Sequence, residues 1–179
     1  MGIEVVLVRH GQTVWNAEER LAGWTDVALT ALGRSQAGAL RPALEGERFE
    51  GVWSSDLQRA VETARLAYGE PSTDRRLREM NFGALEGERW RELDARHALG
   101  LKAFEGFEAP QGESIEALEA RVLGFMGELA SGRHLIFTHG GVIRLLTRRL
   151  GKVGFVGNCA RVVVDWSGQR LIEELPLAP

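Results

Sequence analysis

Cysteine occurs once in these 179 residues, tyrosine once and lysine twice. The lone Cys159 excludes an intrachain disulfide and a cysteine-rich zinc centre. The formal net charge is -3, and 20 of the 22 cationic side chains are arginine. A field of that sign does not draw in nucleic acid or an anionic membrane, so phosphate binding would rest on locally clustered arginines. Long apolar runs are missing too. Nothing approaches the roughly 20 residues of a membrane-spanning helix, and the opening Met-Gly-Ile-Glu lacks the basic and apolar regions of a leader peptide. A cytoplasmic location, with no nucleic-acid and no membrane partner, is the expectation. No repeat, low-complexity tract or Pro/Gly/Ser-rich linker divides the chain. With 44% apolar and 26% charged residues, one domain over residues 1–179 is expected, large enough to bury a core without staples. A homo-oligomer is compatible with this composition and is not specified by it.

What is present concentrates at residues 8–16, Val-Arg-His-Gly-Gln-Thr-Val-Trp-Asn. An apolar run from Ile3 to Val8 reads as a short buried strand. It places Arg9 and His10 at its carboxyl end, where open α/β sheets bind ligands, and Gly11 allows a sharp turn. A lone histidine after a strand is more often a hydrogen-bonded loop residue than a nucleophile. A second junction of the same kind overturns that prior: Leu135-Ile136-Phe137-Thr138 runs into His139-Gly140-Gly141 and a helical pattern through Leu150.

Between these junctions the pattern alternates. Thr30 is placed to cap a helix carrying Leu32, Ala37, Leu40 and Leu44, which Pro42 should kink or end. Gly51–Trp53 reads as a strand, with a serine of Ser54-Ser55 capping a helix through Tyr68. A weak edge strand is expected near Ser72–Leu77. Residues 79–114 are the least regular, with a short helix from Glu88 to about His97. Ser114 caps the clearest helix, striped by Ile115, Leu118, Val122, Phe125 and Leu129. Gly151 suits the stop of the helix after His139, and Ala160–Asp165 with Arg170–Leu175 form a terminal hairpin around Trp166–Gln169. The sum predicts a three-layer α/β/α sandwich, with a mostly parallel central sheet and an antiparallel C-terminal hairpin.

Phosphoryl transfer through histidine needs a neutral imidazole whose other nitrogen is held by a hydrogen bond. It also needs cationic donors for the non-bridging oxygens and a proton donor for the leaving group. His10 and His139 are the available imidazoles, and Arg9 is fixed beside one of them. Arg59 sits in the first turn of the helix after Ser54-Ser55, where guanidinium and helix N-terminus could both meet phosphate. Taken alone, Arg59 reads as a solvated helix residue. Chemistry by itself leaves Glu79, Glu86 and Glu88 as equal choices for the proton donor.

Taken in order, these motifs resemble the histidine phosphatase (phosphoglycerate mutase-like) superfamily. The resemblance is carried by Val8–Thr13 with Asn16, by Leu29-Thr30 with Gly33 and Gln36, and by Ser54–Leu57 with Arg59-Ala60 and Thr63-Ala64. Leu77-Arg78-Glu79 with Phe82-Gly83 and Glu86-Gly87, Gly112-Glu113-Ser114, and Thr138–Gly141 complete it. The resemblance implies His10 as the nucleophile and Glu79 as the proton donor. It assigns Arg9, Arg59 and His139 to the phosphate pocket, aided by Asn16 and the Gly140 backbone. It implies a small-molecule phosphomonoester as substrate, with no metal and no cofactor.

Cofactor-dependent mutases of that superfamily share these motifs but carry a longer, cation-rich segment between proton donor and second histidine. Here the interval from Glu79 to His139 holds one lysine. Ala22 stands where mutases commonly have a hydroxyl residue. Both points favour hydrolysis, with a mutase as the alternative. Phe82–Gly87 resembles a motif of α-ribazole-5'-phosphate phosphatases. Residues 80–113 are expected to form the cap, with Phe104 and Phe107 selecting the leaving group or packing on the domain. Two rivals of other classes are a metal site built from both histidines and a carboxylate, and a non-catalytic phosphate-binding module. His97 and His134 match no motif and are expected at the surface, and Cys159 is expected to pack at the start of a strand.

Overall fold

A computed structural model describes residues 2–152 and 154–176. Strands β1 (Ile3–Arg9), β2 (Gly51–Ser54), β3 (Ser72–Thr73), β4 (Gly132–Thr138), β5 (Arg161–Asp165) and β6 (Arg170–Leu175) form one sheet in the order β3-β2-β4-β1-β5-β6. The first four in that order are mutually parallel, while β5 and β6 join antiparallel. This is the expected mostly parallel α/β architecture with an antiparallel edge.

Helices cover both faces, which explains why β1 is an almost unbroken apolar run. Val5 and Leu7 point into one core with α6 (Ile115–Gly127) and α7 (Gly140–Arg148). Val6 and Val8 point into the other with α2 (Ala31–Ala39) and α4 (Gln58–Ala67). The chain leaves β1 towards one face and β4 towards the other. The crevice at their carboxyl ends is therefore a topological switch point, the standard ligand position in such sheets.

Most local signals hold. Thr30 accepts from Gly33 N at 3.0 Å, Ser114 from Ala117 N at 3.1 Å, and α2 stops before Pro42, which opens the short α3 (Arg41–Leu44). Five expectations are corrected. Leu32 is exposed, because α2 turns Ala37 and the following Leu40 to the core instead. No serine caps the first turn of α4: Leu57 holds the cap position, and Asp26 accepts from Gln58 N at 3.0 Å. The third strand ends at Thr73, because Asp74 turns residues Arg75–Leu77 into a 3-10 turn by accepting from Arg76 N. The helix expected from Glu88 to His97 is a 3-10 turn at Trp90–Glu92 followed by α5 (Ala95–Ala103), capped by Asp94. His134 is buried, with one ring nitrogen on Ala130 O at 2.9 Å and the other accepting from Trp53 Nε1 at 3.3 Å. His97 is partly buried in a 2.7 Å pair with Asp94.

The loop after β1 lies directly on the first turn of α2. A Cβ on Gly33 would collide with the carbonyl oxygen of Gln12, and one on Gly11 with the carbonyl oxygen of Gly33. Backbone cannot retreat as a flexible side chain can. Gly33→Ala is therefore expected to cost about 1–3 kcal/mol in urea denaturation, as for other overpacked sites; parental stability would show that the loop has room to shift.

Candidate active site

Parallel pairing of β1 with β4 sets Arg9 opposite Thr138. The next residues, His10 and His139, therefore leave the sheet side by side, and their rings meet edge to face at 5.1 Å. His10 N donates to Thr138 O at 3.0 Å, fastening the two strand ends. His10 Nδ1 lies 2.7 Å from Gly11 O. A carbonyl only accepts, so Nδ1 carries the proton and Nε2 keeps the lone pair.

Arg9, His10, Asn16, Glu79 and Gly140 all line one cavity of about 310 Å³. Arg59 and His139 are fully buried and are not part of the lining, and His139 reaches it through its contact with the His10 ring. The solvated reading of Arg59 is thus wrong: its two terminal nitrogens donate to Thr25 O at 2.9 Å and Gly23 O at 2.6 Å. Arg9 Nε, Arg59 Nε and both ring nitrogens of His139 are buried without a hydrogen-bond partner. Such groups are costly to leave unpaired, and their concentration around one cavity suits an oxyanion.

Glu79 is buried, and backbone hydrogen bonds fix its carboxylate. One oxygen accepts from Met80 N at 2.9 Å and the other from Gly141 N, in the first turn of α7, at 3.0 Å. Its own carbonyl accepts from Trp24 Nε1 at 2.9 Å and Arg121 Nη2 at 2.8 Å. Arg121 is in turn paired with Glu113 at 2.7 Å, which gives the Gly112-Glu113-Ser114 motif a physical purpose. Glu86 is occupied elsewhere, accepting from the backbone N–H of Trp24, Thr25 and Phe82, and Glu88 is exposed. Geometry therefore separates the three glutamates that chemistry alone left equal. Among the described residues, no group of three or more His, Cys, Asp or Glu converges as a metal-ligand set.

Burial, then the charges of Arg59 and Arg9, hold the His10 imidazole well below its ordinary value. His139 is lowered likewise, by burial first and then Arg59. Both rings are neutral at pH 7. Burial also lowers Arg9 and Arg59, opposed in each case first by Glu79.

Two residues were missed by sequence reasoning. Asn158 Nδ2 donates to His10 O at 3.0 Å and Asn16 Oδ1 at 3.3 Å. Arg144, buried on α7, lines the cavity and donates to Leu101 O and Lys102 O at 2.9 and 2.6 Å. Asn158 lies in an irregular loop and had no local signal. Arg144 follows His139 by five residues inside an apolar helix, and that contrast was a usable one. Of the two cap phenylalanines, both are buried but only Phe104 lines the cavity. Cys159 is buried just before β5, and its N–H donates to Arg9 O at 3.0 Å. Burial pushes its thiol up to about 12.

The fold and these paired histidines define a family. The chain belongs to the histidine phosphatase superfamily (branch 1), whose model matches residues 5–172. It is similar to a phosphoglycerate mutase structure from Thermus thermophilus, with 46% identity, a TM-score of 0.92, and 98% of this chain and 99% of that one covered. It is 33% identical to the metal-independent phosphoserine phosphatase of Arabidopsis thaliana, covering 90% of this chain and 74% of that protein. A candidate alpha-ribazole-5'-P phosphatase structure from Escherichia coli aligns with a TM-score of 0.83 at 26% identity, over 99% and 97% of the two chains. Mutases and phosphatases both stand among these similar proteins. No helix among the described residues is long and apolar enough to cross a membrane.

The buried histidines make stability pH-dependent. Between the ordinary value of 6.5 and the depressed folded one, the unfolded chain binds protons that the folded chain does not, so stability falls as pH drops below about 6.5. Each ring contributes a slope of up to about 1.4 kcal/mol per pH unit. His139→Gln should flatten the stability profile between pH 6.5 and 5 by up to that amount; an unchanged slope would mean that His139 takes up its proton equally in the folded and unfolded chains.

Proposed function

We propose that this chain is a phosphomonoesterase that hydrolyses a small phosphorylated metabolite through a phosphohistidine on His10. The observation that carries the reading is the setting of His10: its Nδ1 lies 2.7 Å from Gly11 O, which leaves Nε2 free, and its buried ring meets His139 at 5.1 Å beside the charges of Arg9 and Arg59. α-Ribazole 5'-phosphate, the compound named for the Escherichia coli structure, is a candidate substrate.

In the proposed reaction, the His10 Nε2 lone pair forms a bond to phosphorus as the ester P–O bond breaks. Arg9, Arg59, His139 and the Gly140 N–H receive the non-bridging oxygens, with Asn16 beside them. Glu79, as the carboxylic acid, gives its proton to the departing alkoxide. Water then attacks phosphorus, the N–P bond breaks, and the Glu79 carboxylate takes the proton of that water. Hydrolysis is favoured over mutase action by the remaining cations of the cavity. Besides Arg9, only Arg20 and Arg144 line it among the described residues, and Arg20 is paired with Glu18 at 2.7 Å and donates to Gly87 O at 2.8 Å.

Rapid-quench labelling with a monoester should trap an acid-labile phosphoenzyme that His10→Ala lacks along with all turnover. Glu79→Gln should slow alkyl phosphates by 10²-fold or more, within the usual worth of a general acid, about 10²–10⁴. It should affect p-nitrophenyl phosphate far less, because that leaving group needs little protonation. Efficient conversion of 3-phosphoglycerate to 2-phosphoglycerate with 2,3-bisphosphoglycerate would overturn hydrolysis in favour of the mutase. Full turnover by His10→Ala would overturn both.

A further inference from the structure

We infer that Asn158, in the loop between α7 and β5, is a positioning residue that sets Asn16 as a hydrogen-bond donor towards a bound phosphoryl group. The inference rests on the phosphate site of the proposed reaction and deepens it. Asn158 does not line the catalytic cavity, whereas Asn16 does, so any effect of Asn158 on a bound anion passes through another residue. The two asparagines share an adjoining hollow with Arg9.

The loop reaches the site through its backbone first. Arg9 Nη1 donates to Val156 O at 2.7 Å, Arg9 N to Ala160 O at 3.2 Å, and Cys159 N to Arg9 O at 3.0 Å. Cys159 turns the chain there with φ of +57°, a left-handed conformation that a non-glycine residue keeps when its surroundings over-determine it. Asn158 is the residue before it, so its side chain starts from a fixed point beside His10.

The amide of Asn158 then passes an orientation on. Its Nδ2 carries two hydrogens and meets two acceptors, His10 O at 3.0 Å and Asn16 Oδ1 at 3.3 Å. A reversed amide would set oxygen against the His10 carbonyl oxygen, so Asn158 has one orientation. Asn16 Oδ1 also accepts from Thr13 N at 3.0 Å. Both groups approaching it are donors, so the carbonyl end of Asn16 is consumed and its Nδ2 end is left to the cavity it lines. One hydrogen bond leaves an amide plane free to swing about the acceptor oxygen. A second donor on that oxygen, from a distant segment of the chain, stops the swing. Packing does not do so instead, since none of the four residues Val14–Ala17 is buried.

Orthovanadate, a mimic of the transferred phosphoryl group, is the probe, read by inhibition of turnover and by calorimetry. Asn158→Ala should weaken its affinity about tenfold, in the range of a lost hydrogen bond to a charged group. In an Asn16→Ala background the same change should matter less than about twofold, because the residue it positions is gone. A merely structural role would lower affinity by the same factor in both backgrounds. That result, or parental affinity in Asn158→Ala, would overturn the inference. Should the alanine variant fail to fold, Asn158→Leu keeps the side-chain shape without charge, removes both donors and reads the same cycle. Calorimetry separates this inference from the hydrolytic reading, because it needs no turnover. A chain that binds vanadate yet hydrolyses no ester would end that reading and leave the cycle decisive. Equal factors in a chain that does hydrolyse would end the positioning role alone, and a parental chain that binds no vanadate would overturn both.

Discussion

The site depends on the parallel pairing of β1 with β4. Opposing Arg9 and Thr138 is what brings His10 and His139, 129 positions apart in the chain, into ring contact. A slip of one residue along that ladder would turn every side chain of β1 to the opposite core. Val5 and Leu7 on one face and Val6 and Val8 on the other lock the register through two separate cores. Placement of two imidazoles to within ångströms is therefore a by-product of burying four aliphatic side chains. The close seating of the Gly11–Gln12 backbone on Gly33 then fixes the direction in which the loop leaves.

The second constraint is charge taken out of water. Arg59 is fully buried and Arg9 partly so, and Glu79 is the carboxylate that most opposes the effect of burial on both. Backbone carbonyls supply the rest of their solvation: Val156 O for Arg9, and Gly23 O and Thr25 O for Arg59. Carbonyl dipoles hold a guanidinium in place without neutralising it, so the positive field persists where an anion would bind. The same field, together with burial, keeps both histidines neutral. Cation placement and nucleophile protonation are thus one electrostatic arrangement.

Several residues of the irregular region act at a distance from the cavity. Glu86 ties down the loop whose Gly23 and Thr25 carbonyls hold Arg59. Glu113 orients Arg121, which holds the backbone of Glu79. Arg144 and Arg148, one turn apart on α7, bind the carbonyls that end α5. Cations at a helix C-terminus favour the dipole there. The helix that opens on His139 and Gly140 thereby also secures the cavity wall that carries Phe104.

Much of this was legible in the chain itself. Alternating apolar runs and caps at Thr30 and Ser114 are local signals, and they sufficed for the layered architecture because propensity and burial agree there. The two His-Gly junctions after strands pointed to one sheet edge. Where side-chain hydrogen bonds overrode periodicity, as at Asp74 and Asp94, strand and helix bounds moved. Glu79 and Arg59 were singled out by resemblance and not by any local pattern, and the burial of Arg59, the backbone hold on Glu79 and the contacts of Asn158 with His10 and Asn16 were supplied only by the fold. Residue types and their order along the chain determined what chemistry the elements could carry. Register, burial and long-range hydrogen bonds decided which side chains meet, because those contacts join residues dozens to more than a hundred positions apart and leave no periodic trace in either neighbourhood.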